Sequence, residues 1–577
     1  MSSTYKGFFG AEYGVKSTIK MWFNTLILSG FVWLIAAGIC YFKFLPGKPA
    51  SFPKPTKKGI VELMLGRDAE YSRSWDRYNQ SVMKRAKKSF RKTVLFPPVA
   101  FILLIFLFRS VAGKQGKGKQ LRGSELVTPQ RLNRLLRKEG EGDLQIGQVK
   151  LPKKLETEHF LCVGRPGAGK TTFLYEIIQK LRTRNERTII YDFKGDYIEK
   201  FYDPQKDLLF NPFDKRTLNW SIFNEIESGF SKKLSINALA MSLIPDEPAT
   251  SSKYWAKGCR GVLTGILLWL CAKNKRTNKD LWDMCCEGSK DIEKKFREVE
   301  ECREYRKHLE GGDKSMRMGD LMATFSTQTE AFSYLVDSDG DFSFKDWVTN
   351  GKGFLFIANK PSQQATLKPL VSLIIDIMLT KGIDLTDNIN RRLFLIADEF
   401  ATLQKLPTFV NFLIGSRSKG GSVWCGLQDF GSIGETYGSN IKETFFNSFG
   451  AFLCLKVDAV ETSSYIAKAI GQREVLKQRP TMQVSDDHVG HGSLSENKIE
   501  DLILASEIQK LNKLEGYLRI SNYPVVKVKV PFKHIPNKAK AFEPREIELK
   551  PKNKIKQNQD KDDFNDLRNI LQNQPKN

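Results

Sequence analysis

Two stretches near the amino end are almost wholly apolar. Residues 21–42 are broken only by Asn24, Thr25 and Ser29, and residues 94–112 by Pro97, Pro98, Arg109 and Ser110. Each approaches the ~20 residues that cross a bilayer core as a helix, so the pattern predicts a two-helix transmembrane anchor. The first run starts too late for a cleaved leader and lacks a small-residue cleavage site. Residues 1–20 then form an amino-terminal tail. Between the runs, about residues 43–92 form a small periplasmic domain, with helical spacing around 60–90. Residues 113–123 are rich in Gly, Lys and Gln, which predicts a flexible stretch. Residues 126–136 follow as a short helix with a basic face, so 113–146 reads as a basic linker.

From about residue 147 the pattern changes to alternating strand and helix. Short apolar runs predict strands at residues 160–163, 188–191, 353–357, 393–397, 422–427 and 451–457. Residues 232–347 are rich in Leu, Ala, Lys and Glu at helical spacing and read as an all-α insertion. The expected fold class is α/β: a RecA-like P-loop motor at 147–231 and 348–535, interrupted by the all-α domain and preceded by the membrane anchor. Residues 536–577 are polar and predict a disordered tail, in which Phe564, Leu567 and Leu571 could form one face of a short helix.

The candidate chemistry begins immediately after the first of these strands. Gly164-Arg165-Pro166-Gly167-Ala168-Gly169-Lys170-Thr171 fits G-x-x-x-x-G-K-[ST], with Thr172 opening the helix behind it. Glycines let the backbone wrap so that its N–H groups face phosphates, and a helix N-terminus adds positive potential there. Lys170 is placed to neutralise the β- and γ-phosphates of ATP, and Thr171 to hold Mg²⁺. Leu393-Phe394-Leu395-Ile396-Ala397-Asp398-Glu399 supplies the second half. Four apolar residues in a row suit a strand buried on both faces, and acids at its carboxyl end fall where α/β sheets bind ligands. Asp398 is the expected partner of Mg²⁺ and Glu399 the residue that polarises the attacking water. Gln428, after the next strand, can sense the γ-phosphate or the water. Arg417, in the turn before that strand, is a candidate finger reaching a neighbouring subunit's site, where such a residue can contribute about 10³–10⁵ in rate.

Charge adds partners. The formal net charge is +26, which favours approach to phosphate backbones or anionic lipid. It does not orient the anchor, because both the loop between the spans and the segment after them are basic. A nucleotide-hydrolysing domain needs the cytosol, which places both ends inside and the loop outside. The nine cysteines include no C-x-x-C pair, and the five histidines show no zinc-type spacing.

The same residues carry a family resemblance. The P-loop, Ile190-Tyr191-Asp192-Phe193-Lys194-Gly195-Asp196, Phe201-Tyr202-Asp203-Pro204, Asn211-Pro212-Phe213-Asp214, Ala365-Thr366-Leu367-Lys368-Pro369, Ala397-Asp398-Glu399-Phe400-Ala401-Thr402-Leu403 and Gly426-Leu427-Gln428-Asp429 occur in one order. Across residues 20–530 the chain resembles the TraD-like type IV secretion coupling proteins of conjugative DNA transfer, which are of the FtsK-HerA class. The resemblance implies a homo-hexameric inner-membrane ATPase with a cytoplasmic motor. Its partners would be relaxase, relaxosome accessory proteins, single-stranded DNA, the secretion channel and other envelope proteins. It assigns Lys170 and Thr171 to nucleotide and Mg²⁺, Asp398 and Glu399 to the second motif, Arg417 to the finger and Gln428 to the sensor. The chain departs from F-type members in lacking their long carboxyl-terminal extension. Two other functions fit the motifs: a receptor for secreted effector proteins in which ATP drives assembly or release, and an FtsK-like double-stranded DNA translocase. The second would bring about four spans and a winged-helix end, neither of which the sequence contains.

Overall fold

The computed structural model describes residues 69–93, 119–246, 250–309, 316–439, 441–485 and 488–546, together with isolated positions 27, 30, 31 and 35. The apolar runs at 21–42 and 94–112 lie largely or wholly outside these residues, as do 547–577. Among the described residues no helix is long and apolar enough to cross a membrane. The chain divides into two compact units. In the first, comprising residues 1–120 and 475–498, helix α1 (Ala69–Thr93) covers most of the helical spacing read between the two apolar runs.

The second unit is built on a ten-stranded sheet. Its strands in chain order are β1 (Leu126–Val127), β2 (Phe160–Val163), β3 (Arg187–Asp192), β4 (Leu208–Phe210), β5 (Phe354–Ala358), β6 (Leu393–Ala397), β7 (Gly421–Leu427), β8 (Ala451–Cys454), β9 (Glu515–Ile520) and β10 (Val525–Lys529). Across the sheet the order is β1-β10-β9-β8-β2-β7-β6-β3-β5-β4. From β8 to β4 every pairing is parallel, whereas β9 is antiparallel to both β8 and β10.

Both faces of the parallel portion are covered, which explains why its strands read as unbroken apolar runs. Because side chains alternate along a strand, Leu161 and Val163 enter one core while Phe160 and Cys162 enter the other; Val423 and Cys425 separate from Trp424 in the same way. One core contains helix α3 (Lys170–Arg184) and helix α4 (Asp196–Phe201), with Phe160 stacked on Trp424 at 4.6 Å.

The other core is shared with the inserted helices. These are α5 (Lys232–Leu243), α6 (Thr250–Ala272), α7 (Asn278–Cys285), α8 (Ser289–Phe296), α9 (Met316–Thr329) and α10 (Phe344–Asn350). They pack with α11 (Gln364–Asp384) into one continuous apolar cluster with the sheet. The insertion is therefore not a separate hydrophobic body. The buried carboxylate of Glu225 fastens its far end, accepting from Trp220 Nε1 at 2.9 Å, the Phe344 amide at 2.7 Å and the Ser343 hydroxyl at 3.1 Å. Helix α10 runs through residue 347, so the insertion ends slightly later than its composition suggested.

Three stretches are more ordered than their composition predicted. Residues 119–123 form a strand, and β1 pairs with β10 in the main sheet; helix α2 (Pro129–Leu136) follows, with Thr128 as its N-cap. The basic segment is thus partly packed structure rather than linker, because Leu132 and Leu136 are fully buried. The hairpin Leu144–Ile146 and Val149–Leu151 lies across the boundary drawn at 147. Residues 536–546 are likewise held against the motor. The Lys538 amide donates to the Glu199 carbonyl at 2.6 Å, Lys215 pairs with Glu543 at 2.6 Å, and Lys360 sits over the Phe542 ring at 3.5 Å.

Candidate functional site: a phosphate cradle facing two acids

The P-loop leaves β2 at the carboxyl edge of the sheet and enters α3. It is pinned by backbone hydrogen bonds: Gly164 N–H donates to the Leu427 carbonyl at 3.0 Å and Arg165 N–H to the Lys456 carbonyl at 2.8 Å. Gly167 and Gly169 have φ of +75° and +120°, which side-chain-bearing residues rarely adopt. At Gly169 a Cβ would also lie 2.5 Å from Leu514 Cδ2. Gly169 is the N-cap of α3 and offers no side-chain cap, so the first N–H groups of that helix lack an intrahelical acceptor. This is the geometry that receives phosphate oxygens. The buried Lys170 ammonium donates to the Gly164 carbonyl at 2.8 Å, folded back over the loop it serves.

Strand β6 ends on the same edge, separated from β2 by β7 alone. The Thr171 hydroxyl donates to Asp398 Oδ2 at 2.5 Å, and the Tyr197 hydroxyl donates to the same oxygen at 2.9 Å. Asp398 Oδ1 is buried with no hydrogen-bond partner among the described residues. Burial raises the Asp398 carboxyl above the ordinary range, opposed by the Thr171 hydroxyl, the Lys170 charge and the Tyr197 hydroxyl. An orphaned carboxylate oxygen is costly without a positive partner. The Thr171 hydroxyl gives its proton to Asp398 and keeps its own lone pairs free. These donors fit a Mg²⁺ ion held by Thr171, with Asp398 behind it. Gly426 makes room for the acid: a Cβ there would meet the Asp398 carbonyl oxygen at 2.2 Å and Oδ1 at 2.8 Å.

Gln428 follows β7 and donates to Glu399 Oε2 at 2.9 Å. Lys170, Thr171, Asp398, Glu399 and Gln428 are therefore gathered at one edge. Arg417 is not among them. It lies in the turn before β7, at the opposite edge, paired with Glu158 at 2.6 Å and more than half exposed. The length of β7 puts it ~20 Å from the P-loop, too far to reach its own phosphate cradle.

Sequence reasoning missed four participants. Tyr197 reaches Asp398 because buried Asp192 shapes the turn after β3, accepting from the amides of Gly195 at 2.8 Å and of Tyr197 and Ile198 at 2.9 Å each. Burial pushes the Asp192 carboxyl up to about 6. An acid at a strand end before a Gly was the available signal. Asp458 pairs with Arg165 at 2.8 Å, and the Leu514 amide donates to the Ala168 carbonyl at 3.0 Å. No local pattern announces either, since both come from more than 290 positions downstream.

A parallel sheet with a G-x-x-x-x-G-K-T loop and an acid-ended strand separated from it by one other strand defines a P-loop nucleotide-binding motor domain. The chain belongs to the type IV secretion-system coupling proteins: the model of that family's DNA-binding domain matches residues 143–531, well over half its length. It is 25% identical over 487 residues to the coupling protein TraD of Escherichia coli (strain K12), covering 80% of this chain and 66% of TraD. The chain thus spans just under two thirds of that relative. Among solved structures, unbound bacterial conjugative coupling protein TrwBdeltaN70 superposes with a TM-score of 0.63 at 26% identity, covering 74% of this chain and 97% of its own. The complex of plasmid coupling protein TrwB with ADP and Mg²⁺ gives 0.62 at the same identity and the same coverages, and a complex with the ATP analogue ADPNP gives 0.63.

Proposed function

We propose that this chain is the coupling ATPase of a conjugative type IV secretion system, anchored in the inner membrane by residues 21–42 and 94–112. It would receive relaxosome proteins and drive single-stranded DNA with bound relaxase into the secretion channel. The observation that carries the reading is the Thr171–Asp398 contact, which joins the phosphate cradle to the acidic strand end at 2.5 Å. Family membership and the TrwB complexes with ADP, Mg²⁺ and ADPNP support nucleotide and Mg²⁺ as its ligands.

Residue roles follow from position. The ammonium of Lys170 exchanges the Gly164 carbonyl for β- and γ-phosphate oxygens. Thr171, with Asp398 behind it, would hold Mg²⁺, which would supply neutralising charge to the phosphates. Glu399, oriented by Gln428, accepts a hydrogen bond from the attacking water and aligns it with the γ-phosphate. Gln428, bonded to Glu399, is placed to hydrogen-bond the γ-phosphate or the water and so report which is present. Arg417, at the wrong edge for its own site, acts on a neighbouring copy's γ-phosphate in a homo-hexameric ring.

The test is ATP turnover by the detergent-solubilised full chain with and without single-stranded DNA. Several-fold stimulation that weakens steeply with salt supports a DNA motor. Turnover indifferent to DNA, with tight binding to a secreted protein, replaces it with the effector receptor. Stimulation by duplex alone points to an FtsK-like translocase.

A further inference from the structure

A second site lies in the inserted helices. Between the first half of α6, the end of the 3₁₀ stretch Glu300–His308 and the start of α9 is a cleft of about 560 Å³, within the range that holds small ligands. Its lining includes Tyr254, Trp255, Lys257, Lys307, His308 and Arg317, with no carboxylate among the described residues. We propose that this cleft binds single-stranded DNA, stacking a base on Tyr254 and Trp255 while Arg317, Lys257 and Lys307 hold the adjoining phosphates. The inference rests on the DNA-motor reading and adds to it a contact site away from the nucleotide.

The spacing on α6 makes the cleft. Tyr254, Lys257, Gly258 and Gly261 fall on one helical face at i, i+3, i+4 and i+7. Two of those four positions carry no side chain. At Gly258 a Cβ would lie 2.4 Å from Leu321 Cδ1, and at Gly261 it would lie 2.2 Å from the His308 ring. The glycines therefore let α9 and His308 close in as a floor, while Tyr254 and Lys257 remain exposed at the rim.

The rim chemistry is that of nucleic-acid contact. Tyr254 is 51% exposed, a large ring left half open to solvent. Trp255 meets it edge-on at 5.5 Å, and the Arg317 guanidinium sits over its ring at 4.7 Å. A guanidinium whose face rests on a ring keeps its in-plane N–H fork free for phosphate oxygens. Among the described residues no carboxylate comes within ion-pair distance of Lys257, Lys307 or Arg317; nearby Glu304 pairs with Lys233 at 2.7 Å and feels Lys307 only at longer range. Elsewhere in the insertion Lys232, Lys273, Lys279 and Lys295 all have acidic partners. An acidic peptide would satisfy the cations but leave the paired rings unused, which favours DNA. Stacking on aromatics combined with unpaired cations gives sequence-tolerant binding of single strands.

The experiment measures binding of a fluorescent 20-nucleotide oligothymidylate to the full chain in detergent, over a salt series. Tyr254→Ala should weaken binding about tenfold, and Tyr254→Phe should restore it. Arg317→Ala and Lys257→Ala should each flatten the log–log salt slope by about 0.7, the value of one phosphate on a single strand. Turnover without DNA should stay at the parental rate in all of them, showing that the fold is intact. An oligonucleotide carrying 5-iodouracil should crosslink to the Tyr254–Trp255 segment. Parental affinity and crosslinking in the triple Tyr254→Ala, Lys257→Ala, Arg317→Ala variant would overturn the proposal. So would loss of poly-glutamate binding alone, which would make the cleft a peptide site. If the parental chain hydrolyses ATP but binds no oligonucleotide, the DNA-motor reading falls together with this one, and no variant is needed to see it.

Discussion

Strand β7 carries Gln428 just beyond one end and Arg417 just before the other, and the two ends live under different rules. At the carboxyl edge the donors converge on the two acids: Thr171 and Tyr197 on Asp398, and Gln428 on Glu399. At the amino edge the groups close on one another. The buried His159 ring bonds the Leu413 carbonyl through Nε2 at 2.8 Å and accepts the Val423 amide on Nδ1 at 3.0 Å, while Arg417 pairs with Glu158. One edge presents its groups to a ligand, and at the other the half-exposed Arg417 guanidinium is engaged by Glu158. Eleven positions of sequence thus separate a residue placed at its own site from one placed a strand length away from it.

The comparison can be broken from either edge. The largest effect should come from Lys170→Ala, which removes the ammonium folded over the cradle and should take ATP turnover to background, with melting temperature retained; parental turnover would show that the carboxyl edge is not the site. Next, Arg417→Ala should lower turnover of the assembled protein by about 10³. It should leave dilute monomer turnover unchanged and stability within about 1 kcal/mol, because its ion pair with Glu158 is solvent-exposed. Equal loss in monomer and assembly would remove the distinction between the edges.

The amino edge should also be the acid-sensitive one. Burial lowers the His159 imidazole from 6.5 to about 4, and only the neutral ring can accept the Val423 amide. Its contribution is complete above pH 6.5 and is lost as the pH falls towards 4, where the unfolded chain binds the extra proton. The loss amounts to roughly 3 kcal/mol. Denaturation midpoints across that window should fall in the parental chain and hold steadier in His159→Gln. The smallest effect is expected from Tyr197→Phe, which takes one of two donors from Asp398 Oδ2. It should raise the Mg²⁺ concentration for half-maximal turnover about tenfold with little change at saturation; an unchanged requirement would make Tyr197 a packing residue only.

Much of the parallel sheet was legible because its strands are buried on both faces. The unbroken runs Phe160–Val163 and Leu393–Ala397 need no partner to identify them. The edge strands were not. Leu208–Phe210 and Leu126–Val127 are too short to carry a period, and β9 and β10 mix charged and apolar residues because one side of each is less covered. Residues 119–146 and 536–546 misled for a different reason. Basic and polar composition suggests solvation, yet Leu132, Leu136 and Phe542 find cover on distant segments, and no local window contains those segments.

By itself the sequence determined the chemical inventory: a phosphate-binding loop, an acid pair after an apolar run, a Gln after the next strand and an Arg before it. Each is a local pattern, since a loop's glycines and a strand's terminal acids are set by the backbone they must adopt. Only the tertiary structure decided which of them meet. Strand order put β2 and β6 on either side of β7, so that Thr171 reaches Asp398 across more than two hundred positions while Arg417 is held a full strand length away. Such neighbours are chosen by parallel pairing and by burial on both faces of the sheet, forces that act between segments and leave no mark within any one of them.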